Sequence, residues 1–141
     1  MKRSLITVVL FIATLTSCST VPTTSVVGVR YDGLYCGYNP AESPLTTYYL
    51  RFYPDGAVVA VSSTGRPPDV ARWLSREDPQ ACRGQYHITD RAIRFTTHGL
   101  LCGEDYSGTV SPSELMLRSY SRQNGYEVTL PYKFVPTAFL R

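Results

Sequence analysis

The sequence predicts an all-β fold: an eight-stranded antiparallel up-and-down meander barrel with one short helix between the third and fourth strands. Three observations predict it. From Tyr31 onward, short runs of Tyr, Val, Leu, Ile and Phe are broken by turn residues. Within several runs apolar and polar residues alternate, as in a half-buried antiparallel sheet. The turn dipeptides fall where paired runs put their apolar residues on one face.

The strands are expected at about 31–36, 46–53, 57–62, 84–89, 92–98, 105–111, 114–121 and 126–135. Ile93, Phe95 and Thr97 alternate with Arg94, Thr96 and His98; Tyr106, Gly108 and Val110 with Asp105, Ser107 and Thr109. Tyr126, Val128, Leu130, Tyr132 and Phe134 alternate with Glu127, Thr129, Pro131 and Lys133. In a two-residue hairpin, residues equidistant from the turn share a sheet face. A turn at Asp90-Arg91 pairs Ile88 with Ile93 and Tyr86 with Phe95. A turn at Pro112-Ser113 pairs Val110 with Leu115 and Gly108 with Leu117. A turn centred on Asn124-Gly125 pairs Ser119 with Leu130, Leu117 with Tyr132 and Leu115 with Phe134, and sets Arg122 against Glu127. All three give one in/out assignment. Tyr53-Pro54-Asp55-Gly56 is a further turn, with Gly56 expected in the left-handed conformation. Its register stays open, because Val58, Val59, Ala60 and Val61 make both faces apolar. Between Pro67 and Ala81, Pro67-Pro68-Asp69 followed by Val70, Ala71, Trp73 and Leu74 reads as a short helix.

Eight such strands close into a barrel and remove their exposed edges. Tight turns gather at one end, and the connections 37–45, 63–83 and 99–104 are expected as long loops at the other. An open β-sandwich of the same strands is the alternative. The arrangement resembles the calycin and lipocalin-like group, and Tyr31-Asp32-Gly33-Leu34-Tyr35 is loosely similar to the opening of the first strand there. The helical insert after strand three and the lack of a long C-terminal helix depart from that group.

The N-terminus carries an address. Lys2 and Arg3 precede an uncharged apolar stretch from Leu5 to Leu15, too short to span a bilayer core of roughly 20 residues. Leu15-Thr16-Ser17-Cys18 resembles a lipobox, the cleavage and lipidation site of bacterial lipoproteins. The resemblance implies a signal peptide at 1–17, acyl chains on Cys18 that hold the protein on a membrane, and, with Ser19 next, the outer membrane and a periplasmic setting. Residues 18–27 read as a flexible tether, and residues 28–141 as the barrel domain.

Removing the leader, Lys2 and Arg3 included, leaves 124 residues with 12 basic and 11 acidic side chains. Without a long basic run, nucleic-acid binding has little support. In an oxidising compartment two of Cys36, Cys82 and Cys102 are expected to pair. All three are expected at the open end. Cys82 and Cys102 flank neighbouring strands and are the expected pair; Cys36 with either is the rival.

No Gly-x-Ser-x-Gly, His-Glu-x-x-His or phosphate loop occurs, so a non-enzyme without cofactor or metal is expected. The leading function is binding of a small hydrophobic ligand by Tyr86, Phe95, Tyr106 and Tyr132 on the inward face, with Trp73 as lid or as cover for an apolar patch. Gly108 and Ser119 either leave room for that ligand or make room for Tyr132 and Tyr106. The alternative is a filled barrel that docks an envelope protein through its loops or through Tyr49, Tyr53 and Tyr120. His98 beside Glu104 and Asp105 is a weaker metal or acid/base candidate.

Overall fold

A computed structural model describes residues 28–138 and 140. The signal-peptide reading, Cys18 and the tether lie outside the described residues. The chain forms a closed antiparallel barrel in sequential order: β1 (Gly33–Tyr38), β2 (Thr47–Phe52), β3 (Ala57–Ser63), β4 (Cys82–Thr89), β5 (Ala92–Gly99), β6 (Cys102–Val110), β7 (Glu114–Ser121) and β8 (Glu127–Pro136). The helix α1 (Pro67–Ala71) lies between β3 and β4. The barrel closes through β1 and β8, where Tyr35 faces Phe134 and Gly37 faces Tyr132.

The hairpin arithmetic holds at two turns. Ile88 faces Ile93 and Tyr86 faces Phe95; Val110 faces Leu115 and Gly108 faces Leu117. Gly56 takes φ +90° in the turn closed by Tyr53 and Ala57. The β7–β8 register is shifted by two residues from expectation: Ser119 faces Val128, Leu117 faces Leu130 and Leu115 faces Tyr132. Gly125, at φ +71°, ends a four-residue loop closed by Ser121 and Tyr126, instead of sitting inside a two-residue turn. A shift of two keeps every side chain on its face. It does change the charge pairs: Arg118 meets Glu127 at 2.7 Å, and Arg122 pairs with Asp105 at 2.6 Å.

The interior is filled. Phe134, Tyr35, Phe52, Phe95 and Tyr106 form a continuous aromatic chain, with centroids 5.0, 5.5, 5.7 and 4.5 Å apart, and Tyr86 branches from Phe52 at 5.1 Å. Ile93, Val110, Leu115, Leu117 and Leu130 pack around it. The N-terminal segment plugs the closed end. Val29 joins the core, the Arg30 amide donates to the Tyr35 hydroxyl at 2.8 Å, and the Tyr31 and Tyr86 hydroxyls are 3.1 Å apart.

A second apolar cluster lies outside the wall. Leu34, Tyr49 and Val59, on the outer face of β1–β3, are covered by Val70, Ala71, Leu74 and Ala81 of the helical insert. This explains the two apolar faces of Val58–Val61: one set enters the barrel, and the other is roofed by α1. The insert runs down the wall instead of fringing the mouth. The Tyr49 hydroxyl donates to the Gly65 carbonyl at 2.6 Å, Arg51 donates to the Leu74 carbonyl at 2.7 Å, and Arg76 reaches Asp55 in the β2–β3 turn. Tyr49 and Tyr53 are therefore covered and do not present a docking surface; Tyr120 is exposed.

Two further expectations are corrected. The connection after β5 is not long: it is the two-residue turn Leu100-Leu101, with Gly99 facing Cys102. Cys36 is not at the rim; it is a free, half-buried thiol on the outer wall beneath the insert. Cys82 and Cys102 form a disulfide, Cα atoms 6.3 Å apart, that ties the return of the insert to the start of β6 across the end of β5.

Candidate functional site at the barrel mouth

The open end is built by inward-facing residues of four strands and two loops. Along β6, the period of two that sends Tyr106 and Val110 inward also sends Glu104 inward. Tyr48 from β2, Ser119 and Ser121 from β7, and Val128, Leu130 and Tyr132 from β8 complete the wall; Glu42 and Tyr126 close over it. This cleft has a volume of about 30 Å³. A second, of about 50 Å³, lies on the other side of Tyr48 and Glu104, against Thr97 and the disulfide. Each has room for a water or two and is far below the roughly 300–1,000 Å³ of pockets that enclose small-molecule ligands. Two broader hollows, of about 410 and 400 Å³, are open troughs on the outer wall, one lined by Arg94, Thr96, Arg118 and Glu127, the other by His87, Thr89, Arg94 and Ser107.

The polar groups of the mouth are linked. The Tyr48 hydroxyl donates to Glu42 at 2.6 Å, and the Tyr106 hydroxyl donates to Glu104. The Asn39 amide donates to the Tyr126 hydroxyl at 3.1 Å and leans on Glu42 at 3.4 Å. The β1–β2 loop is thus fastened across the mouth to the start of β8. Burial raises the Tyr48 phenol above its ordinary range, helped by the hydrogen bond to Glu42 and the charge of Glu104. Tyr132 is raised by burial and by Glu104, Tyr48 and Glu42, and Tyr106 by burial, Tyr132 and Glu104. None of the ion pairs among the described residues reaches Glu42 or Glu104.

Of the residues expected to bind ligand, Tyr86, Phe95, Tyr106 and Tyr132 all belong to the interior cluster. Tyr106 and Tyr132 reach the mouth, whereas Tyr86 lies toward the closed end and donates to the Tyr53 carbonyl at 2.9 Å. Trp73 is 42% exposed on the outer wall and does not lid the barrel. Gly108 leaves no ligand space, because a Cβ there would lie 1.8 Å from the Met116 carbonyl oxygen. His98 and Asp105 face outward and Glu104 inward, so the three form no common site; Asp105 is held by Arg122 and Thr96 instead, which lower its pKa. Glu42, Tyr48 and Tyr126 were not read from the sequence as site residues, and Glu104 was read only as a neighbour of His98. For Glu104 the signal was present, two positions before Tyr106 on the same face. For Glu42, in an irregular loop, there was none.

No group of three or more His, Cys, Asp or Glu able to hold a metal ion occurs among the described residues. Comparison with family models, curated proteins and solved structures finds no match.

Proposed function

We propose that this chain is a non-enzymatic lipoprotein of the bacterial cell envelope, held on the outer membrane through Cys18 and docking a protein partner with the open rim of its barrel. The observation that carries the docking reading is the turn Leu100-Leu101. These side chains are 92% and 88% exposed and pack against nothing. Two-residue hairpins favour Asn-Gly and similar pairs with positive φ, and neither leucine has positive φ. Leucines here serve neither burial nor turn geometry, and local rules are commonly broken where function requires it. Leu45, 75% exposed, stands on the same rim.

The filled interior weighs against the rival reading, a lipid-like ligand inside the barrel. The outer wall of β4–β8 is rich in Arg, Thr, Ser and His, the reverse of the apolar exterior of a membrane-spanning barrel. No helix among the described residues is long and apolar enough to cross a membrane. The tether would leave from the plugged end, at Gly28, so the leucine rim would face away from the anchoring membrane.

The test is photo-crosslinking in cells, with the photoreactive residue at position 45, 100 or 101, or at position 129 on the outer wall. A single crosslinked protein from the rim positions, not from the wall, supports docking. A tightly held apolar molecule seen by native mass spectrometry would return the reading to ligand binding. Vesicle binding by the Cys18→Ser protein that depends on Leu100 and Leu101 would replace the protein partner by a lipid surface.

A further inference from the structure

The cleft at the mouth holds two carboxylates without a cation, and one phenol without a partner. Tyr132 is 2% exposed, and its ring rises past Gly37, where a Cβ would lie 2.6 Å from it. Its hydroxyl has no hydrogen-bond partner among the described residues, although those of Tyr48, Tyr106 and Tyr126 each have one. Tyr132 lines the same cleft as Glu42 and Glu104. The ring is buried while the unpaired hydroxyl opens onto the cleft, where it is free to meet whatever enters.

Every charged side chain acting on Tyr48 and Tyr132 is a carboxylate, Glu42 or Glu104, and each raises the phenol. The carboxylates have acceptor capacity to spare, because Tyr48 and Tyr106 each engage one and a carboxylate offers about four lone-pair sites. Glu42, Glu104 and the Tyr132 oxygen are three acceptors on one cleft, and an ammonium carries three N–H donors. The volume of about 30 Å³ suits a compact ammonium better than a planar guanidinium. The exposed leucines stand at the same end of the barrel, Leu45 in the loop before Tyr48 and Leu100-Leu101 in the turn before Glu104.

We propose that the Glu42–Glu104–Tyr132 cleft receives the ammonium group of a lysine side chain presented by the partner that docks on the rim. The assignment rests on the docking reading above and gives that partner its chemistry: an exposed lysine flanked by apolar residues.

The test is an NMR titration of the full chain carrying Cys18→Ser with a blocked Ala-Lys-Ala tripeptide, its norleucine counterpart, and butylammonium. The lysine peptide is expected to shift the backbone amides of Tyr48, Glu104 and Tyr132 saturably, with a Kd on the order of millimolar. Glu104→Gln and Glu42→Gln should each weaken it about tenfold, and Glu114→Gln at the closed end should not. Should Glu104→Gln fail to fold, Glu42→Gln, whose side chain is exposed, decides. No saturable shift, an equal response to norleucine, or binding indifferent to both glutamate substitutions overturns the proposal. A response to butylammonium without one to the peptide overturns the partner assignment and leaves a site for a free amine. The titration does not involve the natural partner, so it can succeed where crosslinking fails, and the reverse.

Discussion

The Cys102 sulfur lies 2.6 Å from the point where a Cβ on Gly99 would sit, and the Cys82 sulfur 3.5 Å from it. The disulfide crosses the end of β5 so closely that only glycine fits beneath. Gly99→Ala should therefore destabilise the protein by about 1–3 kcal/mol through overpacking. In a Cys82→Ala/Cys102→Ala background the same change should fall within about 0.5 kcal/mol of neutral. Denaturant unfolding of the four proteins measures the coupling, and an equal penalty in both backgrounds contradicts it. Removing the bridge alone, which closes a separation of 20 residues, should remove roughly 3 kcal/mol under the chain-entropy description.

Arg51 is a buried cation beneath the helical insert. One guanidinium nitrogen donates to the Leu74 carbonyl, Nε has no partner, and the nearby Tyr53 hydroxyl is also unpaired. The planar group lies over the Tyr53 ring at 4.8 Å. Arg51→Ala leaves a void and an unmet carbonyl, and should cost about 2–4 kcal/mol. Arg51→Met keeps most of the volume without a buried charge and should cost markedly less. Trypsin cleavage at Arg72 and Arg76 reports the insert: it should accelerate in the alanine variant and stay close to wild type in the methionine variant.

Burial pushes the Cys36 thiol up to about 12. The thiol is therefore expected to stay protonated and unreactive toward iodoacetamide in the folded protein at pH 8, and to be labelled promptly in denaturant. Between the unfolded value near 8.5 and about 12, the unfolded state releases a proton that the folded state keeps, so stability falls as pH rises through that window. The half-buried phenols of Tyr48 and Tyr86 and the buried ones of Tyr106 and Tyr132 are raised as well and add to the loss at higher pH. Absorbance titration should show these four ionising only with alkaline unfolding; their titration in the intact barrel would be the contrary result.

Much of the fold was legible because period-two patterning and turn chemistry are local. Ile88 against Ile93 and Val110 against Leu115 follow from counting outward from a turn. The Asn124-Gly125 turn misled by two residues, because glycine serves a four-residue loop as well as a two-residue one, and both leave Leu117 and Tyr132 facing inward. That α1 covers an apolar patch was legible, but which patch was not, because an apolar face reads alike whether it enters a barrel or meets a helix; Val59 and Val58 look the same in sequence. The mouth was half legible. Tyr106 and Tyr132 followed from alternation, whereas Glu42 comes from an irregular loop whose path only coordinates give.

The Leu100-Leu101 turn separates stability from function. If its residues serve the fold, replacing them should harm the fold. Leu100→Asn/Leu101→Ser instead supplies polar residues that suit the ordinary, negative φ of both positions, removes nothing from either apolar cluster, and should leave stability within about 0.5 kcal/mol of wild type. The same substitution strips two exposed leucines from the rim and should abolish crosslinking from position 45 to the docked partner. On the same variant the Tm should therefore stay in place while the crosslink is lost. A variant that loses several degrees in Tm would place the leucines in the fold. One that keeps both its Tm and its crosslink would remove the rim from the docking surface, leaving the acidic cleft to be judged by its own titration.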